Sequence, residues 1–139
     1  MDLIKFRAKR FDKNEWVYGY YFISPLTDEN SGTTSEQGWY FLTGEKRHCI
    51  STEHGVVYVV KANTVSQFIG LKDENGIDIY EGDIVKNDAA KFIIKFNKGC
   101  FCVDMIAPKH YTSPETLIAF RGMRGAIIIG NNIDNPELL

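Results

Sequence analysis

The chain has 139 residues, 44% of them apolar and 24% charged, with a formal net charge of −2. That balance fits one globular body with its own core and excludes a disordered chain, while the slight negative charge excludes a general attraction to nucleic acid or to an anionic membrane surface. No apolar run approaches the roughly 20 residues of a membrane-spanning helix, and the opening Met1-Asp2-Leu3-Ile4-Lys5 lacks the basic and apolar regions of a signal peptide.

From Leu3 to Arg10 the residues alternate, with Ile4, Phe6 and Ala8 on one face and Lys5, Arg7 and Lys9 on the other, the period-2 pattern of a half-buried strand. Asp12 to Glu15 reads as a turn, and the aromatic, β-branched run Trp16 to Ile23 completes a predicted hairpin. Ser24 to Gly38 is polar and reads as a mobile loop. Trp39 to Thr43, Arg47 to Ser51 and Val56 to Lys61 follow as short predicted strands of a meander, separated by Thr43-Gly44-Glu45-Lys46 and by Glu53-His54-Gly55.

Val65 to Leu71 is strand-compatible, and Asn75-Gly76 marks a turn of positive φ before Ile77, Ile79 and Tyr80. Gly82-Asp83 then turns the chain into Ile84-Val85-Lys86. Ala90 to Phe96 and Cys100 to Ile106 flank Asn97-Lys98-Gly99, which predicts a three-residue hairpin loop with Gly99 in the left-handed region. One helix is predicted, capped by Ser113 with Pro114 and Glu115 in its first turn and Gly122 at its end. Ala126 to Ile129 is too short for a helix and reads as a strand buried on both faces. The closing Asn135 to Leu139 is expected to dock through Leu138 and Leu139, an odd apolar end to leave in water. Many short strands with Gly-rich turns and at most one short helix predict a mainly β protein built as a small barrel.

Three segments resemble the YopX family, small proteins carried by bacteriophages and prophages: IKFRAKRFDKNEWVYG at Ile4 to Gly19, VSQFIGLKDENGIDIYEGDIVK at Val65 to Lys86, and IGNNIDNPELL at Ile129 to Leu139. The middle segment is the most specific. Where the family commonly has a Trp-Asp pair after Arg-Ala, this chain has Lys9-Arg10-Phe11-Asp12. The resemblance implies an SH3-like barrel for the part holding the middle segment, with additional N-terminal strands, and it brings no catalytic, cofactor-binding or metal-binding residue. The expected organisation is a single domain over 1–139, with an N-terminal β part over about 1–63 and a barrel part over about 64–139.

The residues that could carry chemistry have bland readings beside them. Asp73, Glu74, Asp78, Glu81 and Asp83 lie close together, but their spacing misses the alternate-position register of a calcium loop, so they read as solvated turn residues. Cys49, Cys100 and Cys102 fit no disulfide framework and read as free thiols of a reducing compartment. Cys100 and Cys102 share a strand face, and His48-Cys49 or His110 could complete a zinc site, yet no C-x-x-C pair supports one and the thiols read as core. Cys49 with His54, or Ser113 with His110, are nucleophile and base pairs that any chain of this length offers.

Lys5, Arg7 and Lys9, spaced about 7 Å apart along one strand face, with Arg10 beside them, are the best candidate contacts for nucleic acid. Trp16, Tyr18 and Tyr20 could add stacking. Against this stands an ordinary solvated basic face with the aromatics turned into the core. The sequence therefore predicts a cytoplasmic, phage-encoded accessory protein that binds a host or phage protein without catalysis, cofactor or membrane. A weak nucleic-acid binder using the N-terminal strand is the alternative, an enzyme the third reading, and homo-oligomerisation is left open.

Overall fold

A computed structural model of the chain describes residues 4–24, 47–107 and 124–139, and antiparallel strands dominate them. The chain divides into two compact units, one over Ile4–Val65 and one that takes in Ser66–Leu139. No helix of the described residues is long and apolar enough to cross a membrane. The expected mobile loop beyond Ser24, the strand at Trp39 to Thr43 and the helix beginning at Ser113 fall outside the described residues.

In the first unit, β1 (Phe6–Lys9) and β2 (Trp16–Ser24) form the expected hairpin, and β3 (Arg47–Ser51) and β4 (Val57–Val59) extend the ladder in the order β4-β3-β2-β1. The register runs Ala8 opposite Val17, Tyr21 opposite Ile50, and Ile50 opposite Tyr58. Directly opposite residues share a face, so Ala8, Val17, Ile50 and Val60 meet in one buried cluster, flanked by Phe6, Tyr21, Tyr58 and Val65. The 3-10 turn Ala62–Thr64 closes this unit: the Thr64 hydroxyl donates to the Lys61 carbonyl at 2.7 Å and accepts from the Lys9 N–H at 2.9 Å.

The second unit holds β5 (Ser66–Lys72) paired with β6 (Asp78–Tyr80), and a four-stranded ladder in which β10 (Ile127–Asn131), β7 (Asp83–Lys86), β8 (Lys91–Asn97) and β9 (Cys100–Ala107) follow one another. Ile79, Val85, Ala90, Phe92, Ile94, Val103 and Ala126 form its core. Among the described residues these ladders stay open and do not close into a barrel. The β8–β9 loop is tighter than expected. Asn97 pairs with Cys100, leaving Lys98 and Gly99 as a two-residue loop, with φ of 51° and 84°. Positive φ at both central residues is the type I′ geometry that matches strand twist. Lys98 adopts the left-handed region at some cost because the hairpin on either side fixes it.

Two expectations about burial are corrected here. Ile127 to Ile129 are not covered on both faces: β10 lies at the end of its ladder, Ile127 is exposed, and a register shift between Ile128 and Gly130 breaks the pairing with β7. Nor do the turn carboxylates all stay in solvent, since Asp73 and Asp83 are buried. Asp83 accepts from the Tyr80 N–H at 2.8 Å. The Asp73 carboxylate accepts from Asn75 and Ile77 at 2.9 Å, and from Ile128 at 3.0 Å. Backbone N–H groups with no strand partner are costly to bury, and a carboxylate satisfies several at once.

The closing segment is docked, but by asparagines more than by leucines. Asn131 Oδ1 accepts from the N–H groups of Ile133 and Asp134 at 3.0 and 2.8 Å, and Asn135 Oδ1 accepts from Asn131 at 3.2 Å, ahead of the 3-10 turn Pro136–Leu138. Leu138 is half-buried, and Leu139 is 58% exposed, contrary to the expectation that both are covered. Deleting Asn135 to Leu139 is therefore expected to cost about 1 to 2 kcal/mol and to lower the melting temperature by several degrees. A thermal melt followed by circular dichroism checks this, and an unchanged midpoint would mean that the bonds between Asn131 and Asn135 and the last turn contribute nothing.

Candidate functional site

Strand β2 reads Trp16-Val17-Tyr18-Gly19-Tyr20-Tyr21-Phe22-Ile23, apolar at nearly every position. Successive side chains of a strand point to opposite faces, so Val17 and Tyr21 enter the core while Trp16, Tyr18, Tyr20 and Phe22 line the outer face. The ladder adds to that outer face Arg7 and Lys9 from β1, opposite Tyr18 and Trp16, and then Cys49 and Ser51 from β3 and Val59 and Val57 from β4. Tyr18 is 49% exposed, Tyr20 56%, Phe22 39% and Val57 52%. The outcome is an apolar surface strip with phenol tips, built on a regular ladder.

The expected basic row shares that face through Arg7 and Lys9 but does not reach solvent. Arg7 and Lys9 are buried, with the Arg7 guanidinium carbon 4.6 Å and the Lys9 ammonium 4.9 Å from the centroid of the Trp16 ring. An indole face attracts cations through its quadrupole, most strongly where water is excluded. Lys5 is half-buried. Arg10 is committed locally: it donates to both oxygens of Asp12, at 3.0 and 2.8 Å, and lies 4.6 Å over the Tyr58 ring. The Asp12 carboxyl, hydrogen-bonded by Arg10, is held below the usual carboxylate range, and the same bond raises the Arg10 guanidinium. The solvated basic face with inward aromatics is thus corrected on both counts, as the cations are covered and the aromatics Tyr18 and Tyr20 look outward.

The other candidates do not converge. Cys49 and Cys102 are buried, and desolvation pushes both thiols up, with Cys100 and Asp104 adding to the rise at Cys102. Cys100 is half-buried, with its thiol 3.4 Å from the Asn97 carbonyl. His54 is a surface residue beside Glu53 at 3.4 Å, whereas Cys49 lies in β3 with 3% exposure. His48 stacks on Tyr21 at 5.9 Å between ring centroids, and its Nδ1 shares a hydrogen bond with the Tyr21 hydroxyl at 2.5 Å. Burial raises the Tyr21 phenol, and Cys49 adds to the rise. Among the described residues no three His, Cys, Asp or Glu side chains gather as a metal site; His110 and Ser113 lie outside them.

Residues 5–139 match the family model described as YopX protein. No curated protein matches the chain. Among solved structures the chain is similar to protein EF1440 from Enterococcus faecalis, with 24% identity over 99% of this chain and 98% of that one and a TM-score of 0.48.

Proposed function

The chain belongs to the YopX family, and we propose that it works as a non-catalytic, phage- or prophage-encoded accessory module that binds a host or phage protein in the cytoplasm through the outer face of β2. The observation that carries this reading is the row Tyr18, Tyr20 and Phe22, aromatic at alternate positions and each more than a third exposed. Rigid aromatic side chains supply large contact area at low entropic cost, and they are enriched at the centres of protein interfaces. A contiguous exposed apolar patch is also a cost in water unless a partner covers it. The SH3-like barrel implied for the second unit belongs to the same proposal, supported by its short antiparallel strands and its single core.

Nucleic acid is the weaker partner class, because Arg7 and Lys9 are buried and phosphate attraction depends on accessible cations. The test is capture of partners from host cells during prophage induction, using the wild-type protein and a Tyr18→Ser/Tyr20→Ser double variant. Exposed positions tolerate such changes, so the variant is expected to keep its melting temperature within about 1 kcal/mol of stability. A protein retained by the wild type is expected to lose affinity about tenfold or more toward the variant. Equal retention by both would remove the face from the proposal, and salt-sensitive recovery of nucleic acid alone would replace the protein partner.

A further inference from the structure

The sequence contains one Asn-Gly step, Asn75-Gly76. Both residues are exposed, at the turn between β5 and β6, and Gly76 has a φ of 78° with open space where a Cβ would stand. Asparagine followed by glycine is the most reactive context for intramolecular imide formation, because no side chain hinders the approach of the next backbone nitrogen. Here that nitrogen is engaged: the Gly76 N–H donates to the Asp73 carbonyl at 3.0 Å, while the Asn75 N–H is held by the Asp73 carboxylate at 2.9 Å.

We propose that Asn75 is a site of spontaneous covalent modification that the folded turn holds closed. Solvent base takes the Gly76 amide proton, the nitrogen attacks Asn75 Cγ to form a new N–C bond, and the carboxamide C–N bond breaks with loss of ammonia. Water then opens the five-membered imide at either carbonyl, giving aspartate or, with the main chain now running through the side-chain carbon, isoaspartate. None of this proceeds while the N–H is bound to Asp73. The reaction rate therefore follows the population of the opened turn, as any reaction of a minor conformer does. Isoaspartate lengthens the loop over which Asp73 reaches Asn75 and Ile77, and Asp73 also carries the N–H of Ile128. Conversion at one exposed position would then loosen the link between the turn and β10, marking older molecules.

The chain is well suited to the measurement. Cleavage after lysine releases Asp73 to Lys86 as a peptide whose sole amide side chain is Asn75. The native protein, the same protein unfolded in guanidinium, and an Asp73→Ala variant, which leaves Asn75 the sole amide of the peptide, are incubated in mildly alkaline buffer, and the peptide is followed by mass spectrometry with separation of the two products. The unfolded chain is expected to convert fastest, the native chain at least about tenfold more slowly because closing must be undone first, and the variant in between. Native conversion as fast as unfolded conversion would overturn the proposal. So would an absence of conversion in the unfolded chain. If the variant fails to fold, the native and unfolded arms decide alone.

Discussion

Replacing Gly19 with alanine is expected to destabilise the protein by about 3 kcal/mol or more, the larger effect of the two described glycines of the first unit. Gly19 sits in the middle of β2, opposite Phe6 of β1. A Cβ there would fall on the carbonyl oxygen of Ser51, 2.8 Å from its carbonyl carbon and 3.0 Å from the Cα of Thr52. All of these are backbone atoms, so no rotamer change makes room, and β2 and β3 must separate where Tyr20 pairs with Ser51. Gly55→Ala provides the comparison: its φ is 79°, with nothing within reach of the added carbon, so it carries only the left-handed penalty of about 1 to 2 kcal/mol. Urea titrations of the two variants decide the matter. Equal losses would mean that β2 and β3 can spread at little cost. Because Tyr18 and Tyr20 flank Gly19, the variant should also weaken binding at the outer face without altering any residue of it.

Asp73→Ala is expected to cost about 3 kcal/mol, although the residue sits in a turn between two exposed residues. Hydrogen bonds to a charged group contribute about 1.5 to 3 kcal/mol each and are not additive. Asn75 and Ile77 are exposed and can turn to water, whereas the N–H of Ile128 lies in a half-buried strand and would lose its acceptor. Asp73→Asn keeps one acceptor oxygen and should lose less. Asp88→Ala, at an exposed position before β8, should change stability by no more than about 0.5 kcal/mol. Denaturant titration with amide exchange at Ile128 separates these cases: rapid exchange confined to Asp73→Ala supports the role, and protection unchanged in all three variants refutes it.

Local pattern made the hairpins legible. The alternation before Asp12, the Asn97-Lys98-Gly99 punctuation and the Asn75-Gly76 step each encode a turn within a few residues of the strands they join, and β1, β2, β3, β8 and β9 form near where those signals place them. The loop after β8 is one residue shorter than its punctuation predicts, because an isolated lysine gives no sign that a hairpin will hold it at positive φ. Burial was harder to read. β2 is apolar on both faces, so period-2 reasoning shows which residues share a face but not which face the rest of the protein covers. The covered cations and uncovered tyrosines follow from that ambiguity. Asp73 illustrates a second limit: its third partner, Ile128, is 55 residues away, and nothing near Asp73 in sequence announces it. The tail shows a third, since hydropathy pointed to Leu139 while the asparagines make the attachments.

The buried Asp73 also bears on what the outer edge of β10 presents to another strand. Ile127-Ile128-Ile129 is a short, uncharged, β-branched run at the end of a ladder, the composition that recruits further strands into edge-to-edge stacks. The side of β10 turned away from β7 would offer the Ile128 N–H and the Ala126 carbonyl as templates for an incoming chain. Both are occupied, the N–H by the Asp73 carboxylate and the carbonyl by the N–H of Glu74 at 3.0 Å. An approaching strand meets a turn where it needs a donor and an acceptor, and beyond Ile128 it meets the register shift before Gly130. The acidic turn thus takes up the donor and the acceptor that an added strand would need, and it reaches the isoleucines from far along the chain.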